Sequence, residues 1–264
     1  FTPPKTKYSL LIYDINGKLI RKFKGRYFSA TFYDDEHFFI CHDLRSKKRT
    51  DGIRYEILKV NILSGEDEVI YQSKKSIWSD VKWVLHPEKK YLVFYRDGGL
   101  AFFNLTQRKI EFYINDATAI SFSKRGDRFV IFHKGTLRMK LYSLRDEKMK
   151  WIKDFERLSL IGKFTHKNQL VYFSQQKSKR KLILQRLNLK SGKKLEIDHR
   201  VPLLKISILW PFCIERNDQF IYYIIQKEKS FQLILANISM NPFIKKKIFS
   251  SKGVIALPMV IPGK

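Results

Sequence analysis

The sequence predicts an all-β fold of repeated four-stranded antiparallel units, a β-propeller with about six blades. Helical periodicity is nearly absent, and short apolar runs rich in Phe, Tyr, Ile and Val favour strands. Pairs of these runs flank tight polar turns, as β-hairpins do. The pairs recur about every 40 residues, which is the spacing of propeller blades.

The first hairpin shows the pattern most clearly. An apolar run over 8–15 meets a second run over 18–23 across Asn16-Gly17, a dipeptide that tolerates positive φ at both residues. Because isolated hairpins cannot bury both faces, we expect them to stack as blades. Further hairpins cover 56–71, 100–114, 137–152, 182–197 and 231–249.

The repeats predict one domain over 1–264. Residues 7–24 supply only the last two strands of a blade, and residues 253–262 supply an orphan strand. We expect these two segments to form a split blade that closes the propeller from both termini, since closure removes an exposed edge. If the chain continues past Lys264, seven blades fit the pattern. The complete blades are predicted at about 26–72, 76–115, 116–155, 158–199 and 203–250.

One repeat, over 117–152, carries specific family features. It has a Ser-x-x-Gly-Asp turn from Ser123 to Asp127 and a Gly135-Thr136 pair before its third strand. On these residues the chain resembles the WD-repeat β-propeller superfamily, and the turn over 13–18 is also similar to TolB-like and NHL propellers. The resemblance implies the propeller fold but no subfamily. The Trp-Asp pair that usually ends the third strand is replaced by Tyr142-Ser143 and, one blade earlier, by Phe103-Asn104.

The charge of the chain is strongly positive. Lys and Arg number 52 against 25 Asp and Glu, which gives a net charge of +27. Such a balance favours an anionic partner: an acidic protein or protein complex first, then RNA or DNA, with an anionic membrane surface as a further class. A genome-wide preference for lysine is the alternative explanation.

The positive charge is expected to gather on one face. Sorting the loops by blade geometry places most of the excess of basic residues where strand two joins strand three and where one blade joins the next. On the other face, basic and acidic residues roughly cancel. A genome-wide preference would spread them evenly, so the asymmetry favours a binding surface. The predicted binding residues are Arg26, Arg45, Lys47, Lys48, Arg49, Lys74, Lys75, Lys177, Lys179, Arg180 and Lys181.

Catalytic and metal-binding motifs are missing from the sequence, so we predict no catalytic residue, no metal and no cofactor. His37 and His42 flank one predicted strand beside acidic residues, where a metal or acid–base site is the alternative to ordinary turn chemistry. Cys41 and Cys213 lie in apolar runs and are predicted to be buried free thiols. The four tryptophans are predicted to pack between blades: Trp78, Trp83, Trp151 and Trp210.

Three functions follow. The first is a non-enzymatic binding or scaffold propeller whose basic face holds an acidic protein or a nucleic acid. The second is a hydrolase or lyase with a central active site, and the third is a structural subunit whose basicity is incidental. No transmembrane segment is predicted, because no apolar run approaches about 20 residues. The compartment is not predicted: a cytoplasmic location is slightly favoured, and a periplasmic or secreted one follows if a signal peptide was removed before Phe1.

Overall fold

The structure is a computed structural model of the 264-residue chain. Its described residues form β-strands and turns without any helix. The chain divides into two compact units, Phe1–Ala117 and Thr118–Lys264, and each is described by itself. The described residues are 9–13, 16–45, 50–77, 83–146, 148–157, 160–165, 167–175, 181–202, 212–214, 219–227, 230–238 and 244–251.

The first unit contains one two-stranded sheet and two four-stranded sheets, all antiparallel. The two-stranded sheet pairs β1 (Ser9–Tyr13) with β2 (Leu19–Lys24). The next sheet has the order β3 (Tyr27–Phe32), β4 (His37–Asp43), β5 (Tyr55–Asn61) and β6 (Asp67–Ser73). The third has the order β7 (Val84–Leu85), β8 (Tyr91–Arg96), β9 (Gly99–Asn104) and β10 (Lys109–Asn115).

The second unit contains three four-stranded antiparallel sheets, and the first of them begins at the unit boundary. That sheet has β11 (Ala117–Phe122), β12 (Arg128–His133), β13 (Arg138–Arg145) and β14 (Lys148–Arg157). The next has β15 (Leu160–Phe164), β16 (Gln169–Gln175), β17 (Lys181–Asn188) and β18 (Lys194–Pro202). The last has β19 (Phe212–Ile214), β20 (Phe220–Lys227), β21 (Ser230–Asn237) and β22 (Ile244–Ser251).

Every four-stranded sheet is a meander in which consecutive strands are neighbours. In all five, the pairing of the third strand with the fourth contains a register shift. An extra residue at such a β-bulge increases the local right-handed twist and re-aims nearby side chains. The fourth strand of each sheet is therefore expected to be more strongly twisted at its bulge than in the rest of its length.

Buried apolar side chains join the two four-stranded sheets of the first unit. Phe39, Cys41 and Ile57 from the β3–β6 sheet pack with Phe94 and Phe103 from the β7–β10 sheet. Each such side chain contributes about 1.5–3 kcal/mol when it leaves water. Strand-like alternation in β4 and β5 sends the neighbouring residues to the other face, where they contact β1 and β2.

An asparagine closes the turn after the third strand in three sheets. The Asn61 side-chain oxygen accepts hydrogen bonds from the backbone N–H groups of Leu63 and Ser64, at 2.9 and 2.8 Å. Asn104 and Asn188 accept the equivalent pairs of bonds from the residues two and three positions later. Asn104 occupies the position of the usual Asp of the Trp-Asp pair, so the substitution retains a side-chain oxygen that caps the turn.

The second unit has its own buried clusters. One joins Val130 and Leu141 to Leu170 and Tyr172 of the following sheet, and another joins Val171 and its neighbours to the β19–β22 sheet. In the Ser-x-x-Gly-Asp turn, the Ser123 hydroxyl donates to Asp127 at 2.8 Å and accepts the Arg128 N–H at 3.1 Å. These bonds explain why that sequence makes a tight turn between β11 and β12.

The structure tests the sequence predictions for Cys41, Trp83 and Trp151. Cys41 is a buried free thiol, as predicted, and burial raises its pKa. Trp83 is buried between the two sheets of the first unit, as predicted, whereas the packing prediction for Trp151 is wrong because its side chain is 55% exposed. The side chain of Cys213, the residues Trp78 and Trp210, and the split-blade segment 253–262 lie outside the described residues. The split blade and the single domain over 1–264 stay predictions.

Candidate binding surface at the basic end of the first unit

The two four-stranded sheets of the first unit share an end where β4 joins β5 and β8 joins β9. Asp43, Tyr55 and Ser73 lie opposite one another across three strands at this end. The Asp97 N–H donates to the Ser76 carbonyl at 3.1 Å, which brings the β8–β9 turn beside the end of β6. We call this end, formed by the described residues of 24–26, 43–54, 73–77, 96–98 and 116, the basic end.

Basic residues outnumber acidic ones seven to four at the basic end. The asymmetry between the faces stays a prediction from the sequence. Whether the charge is available to a partner depends on what each side chain contacts. The basic residues are Lys24, Arg26, Arg45, Arg54, Lys74, Lys75 and Arg96, and the acidic ones are Asp43, Asp51, Asp97 and Asp116.

Asp43 gathers two of the predicted binding residues around one buried carboxylate. Arg45 donates from Nε to Oδ1 at 3.0 Å and from Nη2 to Oδ2 at 2.9 Å, and its backbone N–H donates to Oδ1 at 2.9 Å. The Nη2 of Arg26 lies 3.7 Å from Oδ2. The Asp43 side chain is only 4% exposed, so this charge depends on its arginine partners.

The electrostatics of Asp43 follow from these contacts. Burial acts to raise the pKa of the carboxyl, but the hydrogen bonds and charge of Arg45 and the charge of Arg26 outweigh it, so the pKa lies below its ordinary value. The Arg45 guanidinium also lies 5.3 Å from the centre of the Tyr55 ring. Arg26 and Arg45 therefore neutralise Asp43 and stabilise this end of the sheet, so less of their charge is left to attract a partner.

Lys75 is also paired. Its Nζ lies 2.6 Å from Oδ2 of Asp97, and both side chains are at least half exposed. The hydrogen bond and the charge of Lys75 lower the pKa of Asp97. An ion pair this exposed is weak and screened by salt, so a competing carboxylate could replace Asp97.

Lys74 and Arg54 differ from these paired residues. Both are exposed, and within the described part of the chain no acidic group lies within ion-pair distance of either side chain. The Arg54 N–H donates to the Ser73 carbonyl at 2.9 Å, which holds the two segments side by side. Sequence reasoning identified Lys74 but not Arg54, although Arg54 stands at the end of the basic loop after Arg45.

The remaining predicted binding residues fall in two loops. Lys47, Lys48 and Arg49, together with Lys177, Lys179 and Arg180, lie outside the described residues. Lys181 begins β17 in the second unit, and only its backbone is described. Their role in binding stays a prediction.

The opposite end of the first unit, where β3 joins β4 and β5 joins β6, has seven acidic and five basic residues in and beside its turns, and the Arg21 guanidinium also reaches it. We call it the acidic end, and some of its charges are paired with one another. Asp34 lies 3.0 Å from Nδ1 of His37 and 4.0 Å from Nζ of Lys89. Arg108 pairs with Glu68 there. The acidic residues are Asp34, Asp35, Glu36, Glu66, Asp67, Glu68 and Glu88, and the basic ones are Lys18, Lys89, Lys90, Arg108 and Lys109.

The two histidines that flank β4 do not form a common site. His37 begins the strand and His42 lies five residues later, about 17 Å away along an extended chain. His42 stacks on Tyr27 with ring centres 4.9 Å apart, and its Nδ1 lies 3.7 Å from Glu56. No group of three or more metal-ligating side chains occurs among the described residues. Helices long and apolar enough to cross a membrane are also absent from that part of the chain.

Comparison with known proteins identifies the fold. No family model matches the chain, and no curated protein is similar to it in sequence. TolB from Acinetobacter baumannii matches with a TM-score of 0.56 at 14% identity, over 91% of this chain and 59% of TolB. The WD40 domain of Toxoplasma gondii coronin matches with a TM-score of 0.59 at 12% identity, over 93% of this chain and 65% of that one.

An enzyme shares the same fold. Oligogalacturonate lyase in complex with manganese matches with a TM-score of 0.55 at 9% identity, over 86% of this chain and 74% of the lyase. The chain thus spans about three fifths to three quarters of these structures. At such identities the likeness shows fold and not function. The protein is an all-β chain of the β-propeller class, as the sequence predicted.

Proposed function

We propose that this propeller is a non-enzymatic binding protein that holds an acidic segment of a partner protein on the basic end of its first unit. The observation that supports the proposal is the pair Arg54 and Lys74, two exposed cations without an acidic partner among the described residues. They stand in an end where basic residues exceed acidic ones. A carboxylate-rich segment would supply the missing counter-charges.

The aromatic residues of the basic end favour protein over nucleic acid. Single-stranded nucleic acids are held by stacking bases on exposed aromatic rings. Here Tyr55 and Tyr95 are 3% and 5% exposed, and Tyr27 is stacked on His42. These rings pack within the sheets and offer no platform for bases. Tyr113, whose hydroxyl lies within hydrogen-bond distance of the Arg96 and Asp97 carbonyls, is 39% exposed beside this end. The described end therefore offers one exposed ring beside several charges, which suits an acidic peptide better than a series of stacked bases.

The paired cations set the expected strength of binding. Arg26 and Arg45 form ion pairs with Asp43, and Lys75 forms one with Asp97. Among the described residues, Arg54 and Lys74 carry charge that no acidic side chain pairs, and the loop residues Lys47, Lys48 and Arg49 are predicted to add to it. Exposed ion pairs contribute roughly 0.2–1 kcal/mol each, so several must act together and binding should weaken with salt.

The test compares two matched charge reversals. Arg54→Glu with Lys74→Glu changes the basic end, and Lys124→Glu with Arg125→Glu changes an exposed turn of the second unit by the same charge. Binding of fluorescein-labelled poly-L-glutamate and of poly(U) RNA is measured by anisotropy at low salt. We expect the first variant to weaken poly-L-glutamate binding about tenfold and the second to change it less than about twofold.

Two results would overturn the proposal. Equal weakening by both variants would mean that the net charge alone attracts polyanions, as an incidental basicity predicts. Preferential loss of poly(U) binding would assign the basic end to nucleic acid. A further variant, Lys47→Glu with Lys48→Glu, tests the predicted loop and should add to the effect of the first.

A further inference from the structure

The last strand of the first sheet in the second unit, β14, is a long strand at the edge of its sheet. It has 10 residues, more than any other strand of the described chain. In the sheet order β11-β12-β13-β14 it is terminal, and no described strand pairs with its other side. An exposed strand edge carries unpaired N–H and C=O groups that can pair with another chain.

Two large apolar side chains are exposed on this strand. Trp151 is 55% exposed, the most exposed aromatic side chain among the described residues, and Ile152 is 42% exposed. The pairing of Tyr142 with Trp151 and of Leu141 with Lys153 leaves Ile152 as the extra residue of a bulge. Bulges re-aim side chains, which explains why this pair leaves the core.

The strand contains four basic and two acidic residues, so its net charge is positive. Lys148, Lys150 and Lys153 are exposed, and no ion pair to any of them occurs within the described residues. The acidic side chains of the same strand are already engaged. Asp154 accepts a hydrogen bond from Nε1 of Trp151 at 3.0 Å, and Glu156 pairs with Lys194.

Protection against aggregation accounts for only part of this pattern. Lysines on an edge strand repel a second strand of the same kind. An exposed tryptophan next to an exposed isoleucine has the opposite effect, because apolar surface on an edge promotes association. The lysines therefore disfavour the addition of a second basic strand. The exposed tryptophan and isoleucine offer an apolar contact to an acidic strand.

We propose that β14 binds an extended acidic segment of a partner protein by strand addition, with Trp151 and Ile152 as its apolar contact. The main chain of the segment would pair with the outer edge of β14, and its carboxylates would meet Lys148, Lys150 and Lys153. A second copy of this chain is a poor occupant because each copy carries a net charge of +27. This surface lies in the second unit and does not depend on the basic end.

The experiment uses hydrogen exchange on the whole chain with two peptides of equal charge. The first alternates Glu with Val and can form a strand, and the second alternates Glu with Gly and cannot do so readily. We expect the Glu-Val peptide to slow amide exchange over 148–156, and the Glu-Gly peptide to leave it unchanged. Trp151→Ser should weaken Glu-Val binding at least tenfold, and Trp151→Phe should retain most of it.

The controls separate this surface from the basic end and from unfolding. The Arg54→Glu, Lys74→Glu variant should leave protection of 148–156 intact, and a Lys148→Glu, Lys150→Glu variant should abolish it. Thermal midpoints of all variants show whether the fold survives, which we expect because these side chains are exposed. Binding without protection of 148–156, or equal protection in Trp151→Ser, would overturn the proposal.

Discussion

Two aspartates at opposite ends of the first unit use their charge in different ways. Asp43, at the basic end, is 4% exposed and held by two arginines. Asp34, at the acidic end, is 32% exposed and held by its own turn, where it accepts the N–H groups of Glu36 and His37. Asp43 is buried, and its two arginines use their charge to neutralise it. Asp34 only stabilises a turn at the surface.

The difference shows that the number of basic residues is a poor measure of the charge that a partner meets. Arg26 and Arg45 count as +2 in the sequence, but Asp43 removes half of that charge and fixes the geometry of the rest. Arg54 and Lys74 count the same, and no acidic side chain of the described residues pairs with either of them. A functional surface should therefore be sought where cations lack partners rather than where they are most frequent.

The largest effect is expected for Asp43→Asn. The substitution removes the charge that holds Arg26 and Arg45, and it should lower the free energy of unfolding by about 2 kcal/mol because hydrogen bonds to charged groups are lost. Urea unfolding followed by tryptophan fluorescence measures this. Arg45→Lys, which retains the charge but loses the two-bond geometry, should cost less. Equal stability of Asp43→Asn and the wild type would show that the arginines do not depend on Asp43.

The pH dependence of stability sharpens the same comparison. The pKa of Asp43 is lower in the folded chain than the value of about 3.9 expected when unfolded, so its stabilisation is present above that value and is lost as the pH falls through the lower folded pKa. The difference in urea midpoint between the wild type and Asp43→Asn should be constant from about pH 7 to 5 and shrink below about pH 4. A difference that persists unchanged at low pH would contradict this explanation.

A smaller effect is expected at the other end. Asp34→Ala removes the acceptor for two backbone N–H groups and should cost about 1 kcal/mol, whereas Asp34→Asn keeps an acceptor oxygen and should cost less. The same urea midpoints test it. If Asp34→Ala were as damaging as Asp43→Asn, burial would not be the cause of the difference between the two ends.

The smallest effect is expected for Arg108→Ala. Its pair with Glu68 joins two sheets of the first unit, but both side chains are at least half exposed. The loss should be about 0.5 kcal/mol or less and should vanish in high salt. Thermal midpoints in low and high salt measure both quantities. A salt-independent loss would mean that the arginine contributes packing rather than charge.

Much of the fold could be predicted from the sequence because its signals are local. Alternating apolar residues and turn dipeptides such as Asn16-Gly17 and Ser64-Gly65 depend on neighbours only a few positions away. The turn-capping role of Asn61, Asn104 and Asn188 was missed, although the asparagine recurs at the end of the third strand in all three sheets. That recurrence is the signal that could have found it.

The site was less predictable because its contacts join distant parts of the chain. The sequence places Asp43 and Arg45 close together, but only the pairing of β3 with β4 brings Arg26 to the same carboxylate. The exposure of Trp151 follows from a bulge, and a shift of one residue in register does not appear in composition or periodicity. The frequency of basic residues predicted a candidate surface, and the structure shows which of its described cations have acidic partners.

Because Cys41 is buried, the rate at which its thiol is labelled can report on the opening of the first unit. The thiol lies at 0% exposure between the two four-stranded sheets, and only its thiolate reacts with a disulfide reagent. It becomes reactive when the sheets separate, so in a Cys213→Ser background its labelling rate measures how often this part of the propeller opens. The same residue that fills the core thus reports, in seconds or hours, how long that core stays closed.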